Sequence, residues 1–202
     1  MQQLCQRPLE LAMKVSRNTR CVGGAVNLEI LVDVVRRMAN VDILFAELNI
    51  KDTEAKSALH IAKLDDEKQN DSETKYMARI LVNNAYSETQ MRYAIVHEIY
   101  HIFNRIENES FSETETQCFV STYVCDDVRP LLRYSKSDLS KFLQEELQAN
   151  IFANLVLMPR YCFAQTLRFL GSVPETAEHF KTSIDAVDAR VYLARRFGSE
   201  FG

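Results

Sequence analysis

The chain has 202 residues, of which 47 % are hydrophobic and 26 % charged, with a net charge of −4. That balance excludes disorder over the whole length and fits a single domain with its own core. The negative charge argues against direct nucleic-acid binding by the surface as a whole. No apolar run reaches the roughly 18 residues that a membrane span needs. The start, Met1-Gln2-Gln3-Leu4-Cys5, lacks the basic region and apolar core of a signal peptide. The five cysteines are odd in number and scattered. Reduced thiols and a cytoplasmic location are therefore the expectation.

Five glycines and four prolines are few, and none falls between Ala25 and Arg129. So few turn residues predict a helix-rich chain. The first 24 residues suggest only a short helix from Leu9 to Val15, bracketed by Pro8 and Gly23-Gly24. From Ala25 to Ala39, Leu28, Leu31, Val32, Val35 and Met38 recur at helical spacing. Strands are predicted at Val41 to Ile50, Ala58 to Leu64 and Ala78 to Asn83. The polar stretch Asp65 to Lys75 reads as the loop between the last two.

Ser87, with Gln90 three residues on, reads as the cap of a helix from about Glu88 to Ile106. The polar run Asn108 to Thr116 reads as a loop, and Cys118 to Tyr134 carries no clear period. Ser137 or Asp138 opens a helix that ends at Pro159. A short helix follows from Arg160 to Leu170, closed by Gly171. Thr176 to Phe180 and Ile184 to Arg196 form a last helix pair, with Ser183 as a cap. That pair has the outline of a DNA-reading motif. Asp185 and Asp188 at its entering end favour a packing hairpin instead.

The strongest chemical signal is His97-Glu98-Ile99-Tyr100-His101. Residues four apart on a helix differ by about 40° and lie one above the other, so both imidazoles can reach one zinc ion. Glu98 is offset by one residue and suits a general base acting on water. A third ligand is needed downstream. Glu146 supplies it in the segment Glu145-Glu146-Leu147-Gln148-Ala149-Asn150-Ile151-Phe152-Ala153. Small residues at 149 and 153 let a second helix approach closely. Two histidines and one carboxylate leave a fourth zinc position open, the catalytic pattern.

These two motifs together resemble the ImmA/IrrE family of zinc metallopeptidases. The matching residues are His97, Glu98 and His101, then Glu146, Ala149, Asn150, Phe152, Ala153, Leu157, Met158 and Pro159. The lead-in Met91 to Val96 and the closing helices from Ala177 are looser likenesses. The resemblance spans about residues 25 to 198. It implies a zinc endopeptidase whose protein substrate is, in several relatives, a helix-turn-helix repressor. Two features depart from the family pattern. Tyr100 stands where the family usually has glycine, and the helix-turn-helix domain fused to many relatives is missing. The stretch 107–136 reads as an insert or lid between the two zinc motifs.

Glu145 competes with Glu146 as ligand, but the Glu-x-x-Ala-Asn register favours Glu146. Glu107 and Glu109 are weaker competitors. Asn150 is a candidate to orient Glu146 or a ligand histidine. Tyr100 is a candidate oxyanion donor, with Tyr86, Tyr93 and Arg92 as alternatives. His60 and His179 read as surface residues, and Cys118 and Cys125 as free thiols. The expected fold is α+β: a three-stranded, largely antiparallel sheet beside a helical bundle that carries the zinc. A sheet edge would hold an extended substrate by strand addition. A rival reading is a non-catalytic, peptidase-like module that binds a repressor or antitoxin component.

Overall fold

The computed structural model describes residues 2–19, 21–22, 24–48, 57–64, 75–108, 117–121, 127–134 and 136–198. The architecture is α+β, with seven helices and six strands among these residues. No helix among them is long and apolar enough to cross a membrane.

Helix α1 covers Gln2–Asn18, far more than the predicted Leu9 to Val15, and runs straight through Pro8. Proline lacks the N–H that would bond to the carbonyl four residues back, here that of Leu4. That carbonyl instead accepts a hydrogen bond from Gln148 Nε2 at 3.2 Å. A partner 144 positions away thus satisfies the carbonyl that the proline leaves without its helical donor. A two-stranded ribbon follows, β1 (Cys21–Val22) with β2 (Ala25–Val26). Helix α2 is Leu28–Ala39 and starts later than predicted, because Asn27 caps it by accepting from the backbone of Glu29 and Ile30.

The three predicted strands are present as β3 (Val41–Leu48), β4 (Ser57–Lys63) and β5 (Tyr76–Asn83). The loop predicted at 65–75 lies, except for Lys75, outside the described residues. The largely antiparallel pairing expected holds for two of the three strand pairs, but the sheet has a fourth strand and one parallel pair. The sheet is mixed and four-stranded, in the order β3-β5-β4-β6, with β6 at Gln117–Ser121. Strands β3 and β5 are parallel, while β4 is antiparallel to β5 and to β6. Strand β4 is therefore interior. Alternation within a strand reveals which face is buried and says nothing about which strand is its neighbour.

Helix α3 (Glu88–Glu107) opens with the predicted capping box of Ser87 and Gln90. Beyond it, the predicted loop 108–116 is described only at Asn108. Of the 107–136 insert, the ends, strand β6 and most of 127–136 are described. Helix α4 (Lys141–Leu157) starts three or four residues later than predicted. Lys136–Asp138 is instead a 3-10 turn, and Ser140 caps α4. Every residue of α4 from Ala149 to Leu157 is buried, as befits a central helix. Helices α5 (Arg160–Leu170), α6 (Val173–Phe180) and α7 (Ile184–Phe197) close the fold. Arg129 reaches Asp185 at 3.4 Å and Asp188 at 3.3 Å, which ties the start of α7 to the preceding chain.

Candidate metal centre

Helix α3 lies between the sheet and α4. His97 and His101 face α4, where the alanines at 149 and 153, both fully buried, allow close approach. Their imidazoles meet Glu146 of α4 in a cluster whose ligand atoms all lie within 4.8 Å of one another. All three side chains are buried. His97 Nε2 stands 3.1 Å from His101 Nε2. The Glu146 oxygens are 3.4 Å from His97 Nε2 and 3.3 Å from His101 Nε2.

Those spacings test the fit to a metal. Two donors each about 2.0–2.1 Å from a tetrahedral zinc ion stand roughly 3.3 Å apart. The three observed separations fall around that value.

The outward ring nitrogens explain why the inward ones converge. His97 Nδ1–H donates to Asn150 Oδ1 at 2.8 Å. His101 Nδ1–H donates to Glu145 Oε1 at 3.1 Å. With both Nδ1 hydrogens committed, each Nε2 offers a lone pair, and the two lone pairs point at each other. Only a cation, either a proton or a metal, stabilises that arrangement. Asn150 is itself braced, since its carbonyl accepts from the Tyr93 hydroxyl at 2.8 Å and from Asn154 Nδ2 at 3.0 Å.

The charge state of the cluster follows from the same contacts. Burial opposes a charge on His101, but its hydrogen bonds to Glu145 and Glu146 and the field of Glu98 outweigh this. They push its pKa up to about 9. Burial likewise opposes ionisation of Glu146, yet the bonds from His101 and His97 hold its carboxyl down at about 2. Glu145 is also lowered against the cost of burial, by His101 and by Arg105, whose Nη2 is 2.9 Å from Oε1. A proton on His101 thus takes the place that a metal ion could hold among these donors.

Glu98 is fully buried and is held from the sheet side by Ser57 of β4. Its Oε1 accepts a hydrogen bond of 2.5 Å from Ser57 Oγ on β4. Its Oε2 makes no hydrogen bond among the described residues.

The other candidates are placed as follows. Tyr100 is fully buried, 5.6 Å from Phe152 between ring centres and 6.1 Å from the His101 ring. Its hydroxyl makes no hydrogen bond among the described residues, and burial pushes its pKa up. Arg92 bonds to the carbonyl of Val26 at 2.8 Å, and Tyr93 is held by Asn150. Glu107 pairs with Arg7 at 2.7 Å, away from the cluster. Glu109 lies outside the described residues, as do the side chains of Cys118 and Cys125. His179 packs against Gly24, whose φ of 93° suits glycine and where a Cβ would run into the imidazole.

Glu145, a rival ligand in the sequence, stands behind His101, on Nδ1 and not on the inward Nε2. Ser57 carries no sequence signal beyond one detail. It is the polar member of an otherwise apolar buried stripe that includes Leu59 and Ile61.

The chain matches no protein-family model, and no curated protein is similar to it.

Proposed function

We propose that the chain is a zinc-dependent endopeptidase of the ImmA/IrrE type that hydrolyses a peptide bond in a protein substrate. The observation that carries this reading is the convergence of His97, His101 and Glu146 beside Glu98. Three protein donors leave one tetrahedral position free, as catalytic zinc sites require. Zinc bound there would acidify water toward neutral pH and polarise the scissile carbonyl. Glu98 would take the proton from the attacking water through Oε2 and return it to the leaving amide nitrogen as the C–N bond breaks. Asn150 and Glu145 would hold the two imidazoles in the tautomer that keeps Nε2 available. Because β6 covers β4, an extended substrate would pair along the edge of β6 that carries no strand among the described residues. The substrate class suggested by the family resemblance is a helix-turn-helix repressor, met in the cytoplasm.

The test is a cleavage assay on a repressor encoded beside this gene, with zinc content measured in parallel. Glu98→Gln keeps size and hydrogen bonding, so zinc should be retained while hydrolysis falls by roughly 100-fold or more. Cleavage by Glu98→Gln at the wild-type rate rules out Glu98 as the base. Tight binding of the repressor without cleavage by either protein replaces the enzyme with a binding module.

A further inference from the structure

Glu98 has two carboxylate oxygens in unequal surroundings. Oε1 is engaged by the Ser57 hydroxyl, and Oε2 is buried with no hydrogen bond among the described residues. Ser57 is itself 1 % exposed and stands on an interior strand, opposite Val82 of β5 and Ser121 of β6. Strands bonded on both sides hold their backbone firmly, so the hydroxyl is presented from a fixed point. A serine here interrupts the apolar stripe that Leu59 and Ile61 continue. A buried carboxylate left without a donor would be strongly disfavoured. The serine therefore does more than fill space.

A hydroxyl that donates to one carboxylate oxygen fixes the plane of the group. We propose that Ser57 is a positioning residue, which pins Oε1 of Glu98 and so fixes the direction in which Oε2 is offered to the metal centre. This rests on the reading of that centre given above. Ser57 touches neither the metal ligands nor a substrate in this assignment, and acts only through Glu98.

The experiment needs no natural substrate. The protein is loaded with cobalt(II), which accepts the same donors as zinc and reports ligand binding through its visible absorption. The probe is acetohydroxamic acid, which chelates a metal and donates a hydrogen bond to a neighbouring carboxylate. Affinity is measured for wild type, Ser57→Ala, Glu98→Gln and the double variant. Ser57→Ala should weaken the probe by about 10-fold with cobalt affinity unchanged. The same substitution should have no further effect in the Glu98→Gln background. Ser57→Cys, nearly isosteric with a weaker donor, serves if Ser57→Ala does not fold, and should show a smaller loss of the same kind.

Equal probe affinity in wild type and Ser57→Ala overturns the proposal while leaving the metal centre standing. An equal loss in both backgrounds also overturns it, since Ser57 would then act independently of Glu98. Failure of wild type to take up cobalt, or of the loaded protein to bind the probe, removes the metal-centre reading and this proposal with it.

Discussion

Helix α4 buries charge at both ends of its length, and the two ends solve the problem differently. Toward its start, Glu146 meets His97 and His101, with three potential donor atoms aimed at one point. Beyond its end, Arg190 of α7 is fully buried with its Nε donating to the carbonyl of Met158 at 3.2 Å. Its guanidinium lies 4.9 Å from the centre of the Phe163 ring, and Nη1 and Nη2 make no hydrogen bond among the described residues. Burial lowers its pKa to about 9. Arg190 caps a helix C-terminus, where a positive charge is favoured. The lesson is that burial of a charge alone does not mark a ligand site. Several donors with complementary lone pairs must converge, and only the first region has them.

Substitutions can break that contrast. The largest effect is expected at the cluster. His97→Ala should abolish stoichiometric zinc, measured by elemental analysis after metal-free dialysis and readdition of zinc, because two donors do not make a tight site. Zinc retained at one ion per chain would remove His97 from the centre. At the other end, Arg190→Ala should cost about 3 kcal/mol in denaturant unfolding, from lost packing and an unpaired carbonyl. Arg190→Met, which keeps much of the volume without the buried charge, should cost less. Neither should change zinc affinity. A drop in affinity with either variant would mean that the two regions are not independent.

The pH dependence sharpens the same contrast. Zinc needs a neutral imidazole, and His101 in the metal-free protein holds its proton up to about pH 9. Zinc uptake at pH 7 should therefore release about one proton from His101, and affinity should fall about tenfold per unit as pH drops below 9. The sign for stability is opposite. The folded pKa of His101 lies above its ordinary value of 6.5. Its contribution to the metal-free fold is thus complete below pH 6.5 and is lost as pH rises toward 9. Thermal melts of metal-free and zinc-loaded protein across that range would show it, since only the metal-free protein should weaken.

The cluster was legible in the sequence because its geometry is local. An i, i+4 pair on one helix and a carboxylate in a recognisable helical register specify most of it. Asn150 was legible for the same reason, lying four residues from Glu146. What the sequence hid depends on contacts between distant segments. Ser57 meets Glu98 across 41 positions. The parallel pairing of β3 with β5 and the docking of β6 are choices among neighbours that alternation leaves open. Pro8 argues locally for a break in α1, and the bond from Gln148 that satisfies the Leu4 carbonyl is a long-range contact that no local signal shows.

Glu145 is the subtlest case, because it acts on the cluster through a proton. Its carboxylate accepts from His101 Nδ1 and is shared with Arg105. Glu145→Gln keeps an acceptor oxygen, so the ring orientation should survive. The lost charge makes Nε2 a weaker donor, and zinc affinity at pH 9 should fall by about 10-fold. The same lost charge also removes one cause of the raised His101 pKa. Protons then compete less well for the variant than for wild type as the pH falls. The difference in zinc affinity between the two proteins should accordingly narrow from pH 9 to pH 6, and a competition assay with a chromogenic chelator would measure it. A gap that stays constant would show that Glu145 orients the ring without tuning its basicity. A gap that widens would mean that removing the Glu145 charge does not lower the His101 pKa, and its assignment as a cause of that raised pKa would be lost.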